Sequence, residues 1–299
     1  TAIVVFGRAG GEGADMPMDM AAYEGGTEGR HYMELTENEE AMFDMVKENF
    51  EKVIVLINSS SPMELGFLEN EKVDAAMWIG GPGSVGLQGV ANALCGEVNP
   101  SGRLVDTYAY DATSSPAYMN IGDFTYTGTE HENGGMLGGV APYKFMNYQE
   151  GIYVGYRYYE TAAYEASVGN YEGFDYDKAV IYPFGYGLSY TTFDMEYEGT
   201  PFFDEETDEF VFNVKVTNTG KTAGKQVVQI HCNAPYSYDS SVEKAQVVLC
   251  GFAKTGGIEP GESEEIEVRA DRDYITSYDY KDAKCYILDE GDYNFYLSD

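Results

Sequence analysis

"KVIVLINSSSPMELGFLENEKVDAAMWIGGPGSVGLQGVANALCG", residues 52–96, is the stretch on which the fold turns. Residues 52–59 are an almost unbroken apolar run, the pattern of a strand covered on both faces. Ser61 then stands as a cap with Pro62 at the first helical position, which predicts a helix over 61–70. Residues 73–80 form the next strand, and 85–96 a second helix ended by Gly96. Upstream, "AIVVFG" (2–7) reads as a short strand of the buried type. "TENEEAMFDMVKENF" (36–50) reads as a helix opened by a capping box, Thr36 with Glu39 three residues on. Its apolar face is expected to be Phe43, Val46 and Phe50. Strand and helix alternating three times imply a largely parallel α/β sheet.

The pattern changes after residue 106. Residues 107–195 are rich in Tyr and Gly and weakly periodic, as in a long connecting region with short elements. From about 196 onward the signals are all strand. Runs at 209–220, 225–235, 244–256, 262–271, 282–291 and 292–299 are separated by Gly, Pro and Asp, which suggests a β-sandwich. The acidic run "DEETDE" (204–209) reads as a solvated turn at its start.

Eighteen basic against 51 acidic residues give a formal charge of −33. That balance argues against nucleic acid and anionic membrane surfaces, which need basic clusters. No stretch reaches the ~18 apolar residues of a membrane span. The four cysteines and three histidines are scattered and show no metal-ligand spacing, so neither a metal nor a cofactor is expected. Sparse cysteine suits a reducing compartment. No signal peptide is visible; the chain opens inside a strand, and its natural N-terminus is expected to lie upstream.

Several stretches could carry chemistry. Gly81, Gly83 and Gly86 fit G-x-G-x-x-G between a strand and a helix, but Pro82 occupies a position where a pyrophosphate would want backbone donors; a tight structural turn is the expected reading. "DMPMDM" (15–20) could hold a soft metal, yet without His or Cys beside it the methionines read as packing. Ser189 fails the nucleophile-elbow pattern. Trp78 is expected in the core, Arg103 in internal pairing, and Tyr153, Tyr156, Tyr158 and Arg157 in packing. "FGRAGGEGAD" (6–15) is different: Glu12 sits between Gly11 and Gly13 at the carboxyl end of a strand, where α/β sheets place their ligands. The residues alone leave two readings, a general acid projected into a cleft or a plain glycine-rich loop.

Five stretches together resemble the carboxy-terminal α/β-sandwich of glycoside hydrolase family 3: "RAGGEGAD" (8–15), "VIVLINSSSPMEL" (53–65), "WIGGPGSVGLQGVANALCGEVNPSGRL" (78–104), "EGIYVGYRYYE" (150–160) and "YPFGYGLSYTTF" (182–193). Residues 196–299 resemble the fibronectin type III-like domain that accompanies it. The resemblance implies an incomplete, mostly parallel α/β/α sandwich over 1–195, lacking its N-terminal part, followed by an Ig-like β-sandwich over 196–299. It also implies a retaining β-glycosidase in which Glu12 is the general acid/base and Arg8, Gly11, Gly13 and Asp15 support its loop. Against the family form R-x-S-G-E-G-x-D-R, Gly10 replaces the usual Ser and Met16 the usual Arg. The nucleophile, an Asp, would lie on a TIM-barrel domain or chain outside this one. The implied substrate is a β-linked oligosaccharide or glucoside, most simply a terminal β-D-glucosyl residue, with a β-xylosidase or other exo-β-glycosidase of the same family, or a non-catalytic carbohydrate-binding scaffold, as the alternatives. A homo-oligomer is compatible with this, and the setting expected is bacterial and cytoplasmic.

Overall fold

The computed structural model describes residues 1–10, 16–120, 124–132, 139–237, 240 and 242–298. They form two compact units, one from residues 1–81 and 108–154, the other from 82–107 and 155–299.

The first unit is built on a parallel sheet of β1 (Ala2–Arg8), β2 (Val53–Ser59) and β3 (Val73–Trp78), in the order β1-β2-β3. Its register runs from Ala2 opposite Val53 to Arg8 opposite Ser59. The central strand is buried along nearly its whole length, as its apolar run predicts. β1 is covered on one face only: Val4, Phe6 and Arg8 point inward, whereas Ile3 and Val5 are 55% and 54% exposed. The expected fully buried strand is thus a half-covered edge strand.

Helix α1 (Glu37–Asn49) starts where the capping box places it. The Thr36 hydroxyl accepts from the Glu39 amide, and the Thr36 amide donates to Glu39 Oε2 at 2.8 Å. Phe43 docks the helix by meeting Phe6 and Phe67 edge-on, with ring centroids 5.7 and 5.6 Å away. Phe50 does not continue that face; it lies past the last turn and is 44% exposed. The helix expected over 61–70 is reduced to a 3-10 turn at Gly66–Glu69. The reason is local. Ser59 Oγ donates to the Ser61 carbonyl and accepts from the Ser61 amide, and the Glu64 amide donates across to the Met33 carbonyl. Those bonds hold 59–64 in a non-helical path. The rest of this unit carries β4 (Tyr108–Ala109) and a small hairpin of β5 (His131–Glu132) and β6 (Val140–Ala141).

The second unit holds α2 (Leu87–Leu94), α3 (Tyr156–Ser167), α4 (Tyr176–Ala179) and β7 (Val180–Tyr182) together with a β-sandwich. Gly96, at φ +75°, follows the end of α2 as the sequence predicts. One antiparallel sheet joins β8 (Phe193–Tyr197), β9 (Phe202–Asp204), β10 (Glu209–Asn218) and β13 (Ser263–Asp271). The other joins β11 (Val227–Asn233), β12 (Val248–Lys254) and β16 (Asn294–Ser298). A two-stranded ribbon, β14 (Ser277–Asp279) with β15 (Cys285–Ile287), completes it. Alternate residues of the long strands, among them Phe212, Val214, Val216, Val228, Ile230 and Val268, fill the core.

His231 on β11 is buried among Tyr156, Phe184 and Tyr296, with Nδ1 2.8 Å from Ser298 Oγ. Burial pushes its pKa down to about 4. An unfolded histidine titrates near 6.5, so as pH falls the unfolded chain takes up the proton first. Stability linked to His231 is therefore full above about pH 6.5 and lost between about 6.5 and 4. Relative to His231→Gln, the parent chain is expected to lose about 3 kcal/mol more on going from pH 7 to pH 4, read from urea midpoints along a pH series.

Candidate active site

The carboxyl end of β1 delivers Arg8 into a buried position, with only 6% of its side chain exposed. A guanidinium has five N–H donors, and each finds an oxygen. Nε donates to the Tyr32 carbonyl at 2.6 Å, Nη1 to Gly7 O at 2.8 Å and Glu39 Oε1 at 2.6 Å, and Nη2 to Glu34 O at 2.6 Å and Glu39 Oε2 at 2.7 Å. Arg8 thus stands at the start of the segment joining β1 to α1 and grips its far end. Burial pushes the Glu39 carboxyl up, but hydrogen bonds from Arg8 and Thr36 outweigh it and hold the pKa below the ordinary value.

Tyr32 closes a smaller bracket inside this one. Its hydroxyl accepts from the Ala9 amide at 3.1 Å, and its own amide donates to the Pro17 carbonyl at 3.1 Å. Residues 10–16 are the stretch between those two pins. Glu12, Gly11, Gly13 and Asp15 belong to that stretch and lie outside the described residues. Gly10, where the family form has Ser, is close to the next strand's end: a β-carbon there would lie 2.9 Å from Ser60 Oγ, so a serine would require Ser60 to turn.

Downstream, Asp19 Oδ1 accepts from the Ala21 and Gly29 amides, and Met20 is buried. Asp19 is therefore occupied as a turn cap, and Met20 packs. The Met20 amide bonds the Arg30 carbonyl, closing the loop on itself. His31 is also buried. Its Nε2 lies 3.2 Å from Glu64 Oε1 and 3.5 Å from Glu34 Oε2, while Nδ1 accepts from the Met33 amide at 3.3 Å. Burial would push the His31 pKa down, but the Glu64 and Glu34 carboxylates, with Asp111, more than offset it and leave the pKa raised.

At the ends of β2 and β3, Asn58 donates to the Gly80 carbonyl, and the Trp78 indole N–H to Ser59 O at 2.9 Å. Trp78 is 43% exposed, not in the core as expected, because β3 is little covered on either face. In the second unit, the Gly86 amide donates to Pro82 O, and a β-carbon on Gly86 would lie 2.3 Å from that oxygen. This is the tight turn expected of the glycine motif, with a first-turn donor already used within the chain. Arg103 Nη2 donates to Gln226 Oε1 at 2.7 Å, an internal pairing. Tyr156, at the start of α3, accepts from the Leu249 amide, and Arg157 is half-buried.

Sequence reasoning gave no role to Tyr32, His31, Glu34 or Glu64, and missed the pairing of Glu39 with Arg8. Glu39 was legible only as half of a capping box; its partnership with Arg8 spans 31 positions.

The Glycosyl hydrolase family 3 C-terminal domain matches residues 1–156, and the Fibronectin type III-like domain residues 226–299. A β-glucosidase of Ruminococcus albus is 34% identical over 300 residues, covering 99% of this chain and 26% of the relative. β-Glucosidase A of Butyrivibrio fibrisolvens is 33% identical, covering 99% of this chain and 35% of the relative. Among solved structures, a β-glucosidase from Paenibacillus barengoltzii superposes with a TM-score of 0.76 at 31% identity, over 99% of this chain and 28% of that one. β-Glucosidase 3B from Thermotoga neapolitana, solved with glycerol, gives 0.72 at 28%, over 99% of this chain and 35% of that one. The chain thus spans roughly a third or less of the length of these relatives. Sheet, sandwich and sequence agree: the chain belongs to glycosyl hydrolase family 3, as its C-terminal domain followed by a fibronectin type III-like domain.

Proposed function

We propose that this chain is the acid/base-bearing part of a retaining β-glycosidase that removes terminal β-D-glucosyl residues, with Glu12 as proton donor. Residues 1–195 serve as its α/β domain and 196–299 as its fibronectin-like domain. The observation that carries the reading is the double bracket by Arg8 and Tyr32 around the Glu12 segment, at the carboxyl edge of a parallel sheet. The names of the two relatives above, both β-glucosidases, support glucose over xylose. An Asp on a TIM-barrel domain outside this chain attacks the anomeric carbon while Glu12 protonates the departing oxygen. Glu12 then takes the proton of the water that releases the sugar. The two carboxyls stand about 5–5.5 Å apart in such a pair.

Glu12 must begin protonated to act as the acid. A free arginine close by would oppose that. Arg8, four residues away, has both its carboxylate-facing nitrogens on Glu39, so its charge is already compensated. Arg8, Gly11, Gly13 and Asp15 act in support of the loop.

The test compares this chain with the full-length protein on aryl β-D-glucosides and β-D-xylosides. The chain alone is expected to show no turnover. The full-length protein is expected to prefer glucosides and to release the β-anomer first, by proton NMR. Robust turnover by the chain alone, or first release of the α-anomer, would overturn the reading; a xyloside preference would change only the sugar.

A further inference from the structure

We propose that His31, Glu34 and Glu64 form a binding site for a divalent transition-metal ion of the zinc class, which ties the return arm of the β1–α1 segment to the segment following β2. The donor atoms of the three residues all lie within 4.8 Å of one another. Tetrahedral zinc with bonds of about 2.0–2.2 Å sets its ligand atoms roughly 3.3–3.6 Å apart. His31 Nε2 lies 3.2 Å from Glu64 Oε1 and 3.5 Å from Glu34 Oε2, so both edges fit within ordinary adjustment. One imidazole with two carboxylates is an N/O donor set that suits zinc; calcium and magnesium want oxygen alone.

The surroundings hold the donors in place. Glu64 Oε1 accepts from the Ala112 amide at 2.7 Å, and Glu34 Oε2 from the His31 amide at 2.8 Å. The Tyr118 ring meets the His31 ring edge-on at 5.5 Å. His31 is buried while Glu34 and Glu64 keep 31% and 20% of their side chains exposed, which leaves an approach for the ion and for a water as fourth ligand. The two carboxylates converge on one nitrogen and favour positive charge there.

Binding has a definite proton balance. In the neutral ring Nδ1 accepts from the Met33 amide, so the proton sits on Nε2. The ion takes that place, the ring proton moves to Nδ1, and the 3.3 Å contact with Met33 is given up. A charged ring releases one proton to solvent.

The experiment uses the full-length protein, stripped with a chelator, with zinc or magnesium chloride added alone. Calorimetry and thermal melting are followed for the parent protein, Glu64→Gln and Glu34→Gln. Circular dichroism checks the fold of each variant. Zinc is expected to raise the parent's melting temperature by about 4 °C or more at a hundredfold excess over Kd. Magnesium is expected to have no such effect, and each variant to weaken zinc binding at least tenfold. Affinity should fall as pH drops and His31 protonates. No zinc heat or shift in the parent would overturn the proposal. So would equal zinc binding by both folded variants, which would mark diffuse attraction to a chain of formal charge −33 or capture elsewhere.

Discussion

In the full-length protein, Glu12→Gln is expected to lower kcat/KM by about 10²–10⁴-fold on glucosides with alkoxide leaving groups. The size follows from the leaving group. An alkoxide departs badly unless protonated as the bond breaks, and glutamine cannot donate that proton at neutral pH. A dinitrophenolate needs no proton to leave, so its first step should be nearly intact, and the slow step becomes attack of water on the glycosyl-enzyme. Azide, a nucleophile that needs no general base, should then restore turnover in Glu12→Ala and yield the β-glucosyl azide. The measurement is a leaving-group series with and without azide. Equal loss across the series, with no azide rescue, would remove Glu12 from the acid/base role.

Glu39→Gln is the second large effect, and it acts on the fold. The buried Arg8 guanidinium would keep its two carbonyl-facing contacts and its neighbour Gly7, but lose the only carboxylate it bonds among the described residues. Removing one partner of a buried ion pair costs about 3–5 kcal/mol. Glu39 also serves as the reciprocal half of the Thr36 capping box. Because Glu39 titrates below its unfolded value, its share of stability is present above the ordinary carboxylate range and is lost as pH falls through the folded pKa. The variant should therefore show a flatter acid limb in urea melts. Under the proposed function Glu39 would position the Glu12 segment, and a kinetic readout separates that from a part in stability alone. At a temperature where the variant is fully folded, its dependence on leaving group should steepen toward that of Glu12→Gln. A uniform drop across leaving groups would leave Glu39 with the fold only.

Much of the architecture was legible because local chemistry and tertiary packing agreed. Thr36 and Glu39 announce the start of α1; the uninterrupted 53–57 run announces the central strand; alternation in 209–218 announces a sandwich strand. Where the two conflict, sequence misleads. Ser61-Pro62 is a good helix start in isolation, yet Ser59 takes the Ser61 amide and carbonyl first. Helix α3 stays hidden because its buried positions include Tyr159, Thr161 and Glu165, which weaken the apolar stripe that a helix would show. The support around the site was hidden for another reason. Arg8–Glu39, Ala9–Tyr32 and His31–Glu64 join residues 23 to 33 positions apart, and spacing carries no trace of such pairs.

The bracket at Tyr32 also acts as a tether. Ala9 is fixed by its amide, and three residues of chain can carry the Glu12 Cα no more than roughly 11 Å from it, however they are arranged. A glycosidase whose acid sat on a long free arm could bring that arm to a distant nucleophile. Under the proposed function, a tether this short reverses the traffic: a domain carrying the nucleophile would have to come to the sheet and stop with its carboxylate about 5–5.5 Å from Glu12's. On that reading, the docking of two domains would set whether the enzyme is assembled for catalysis.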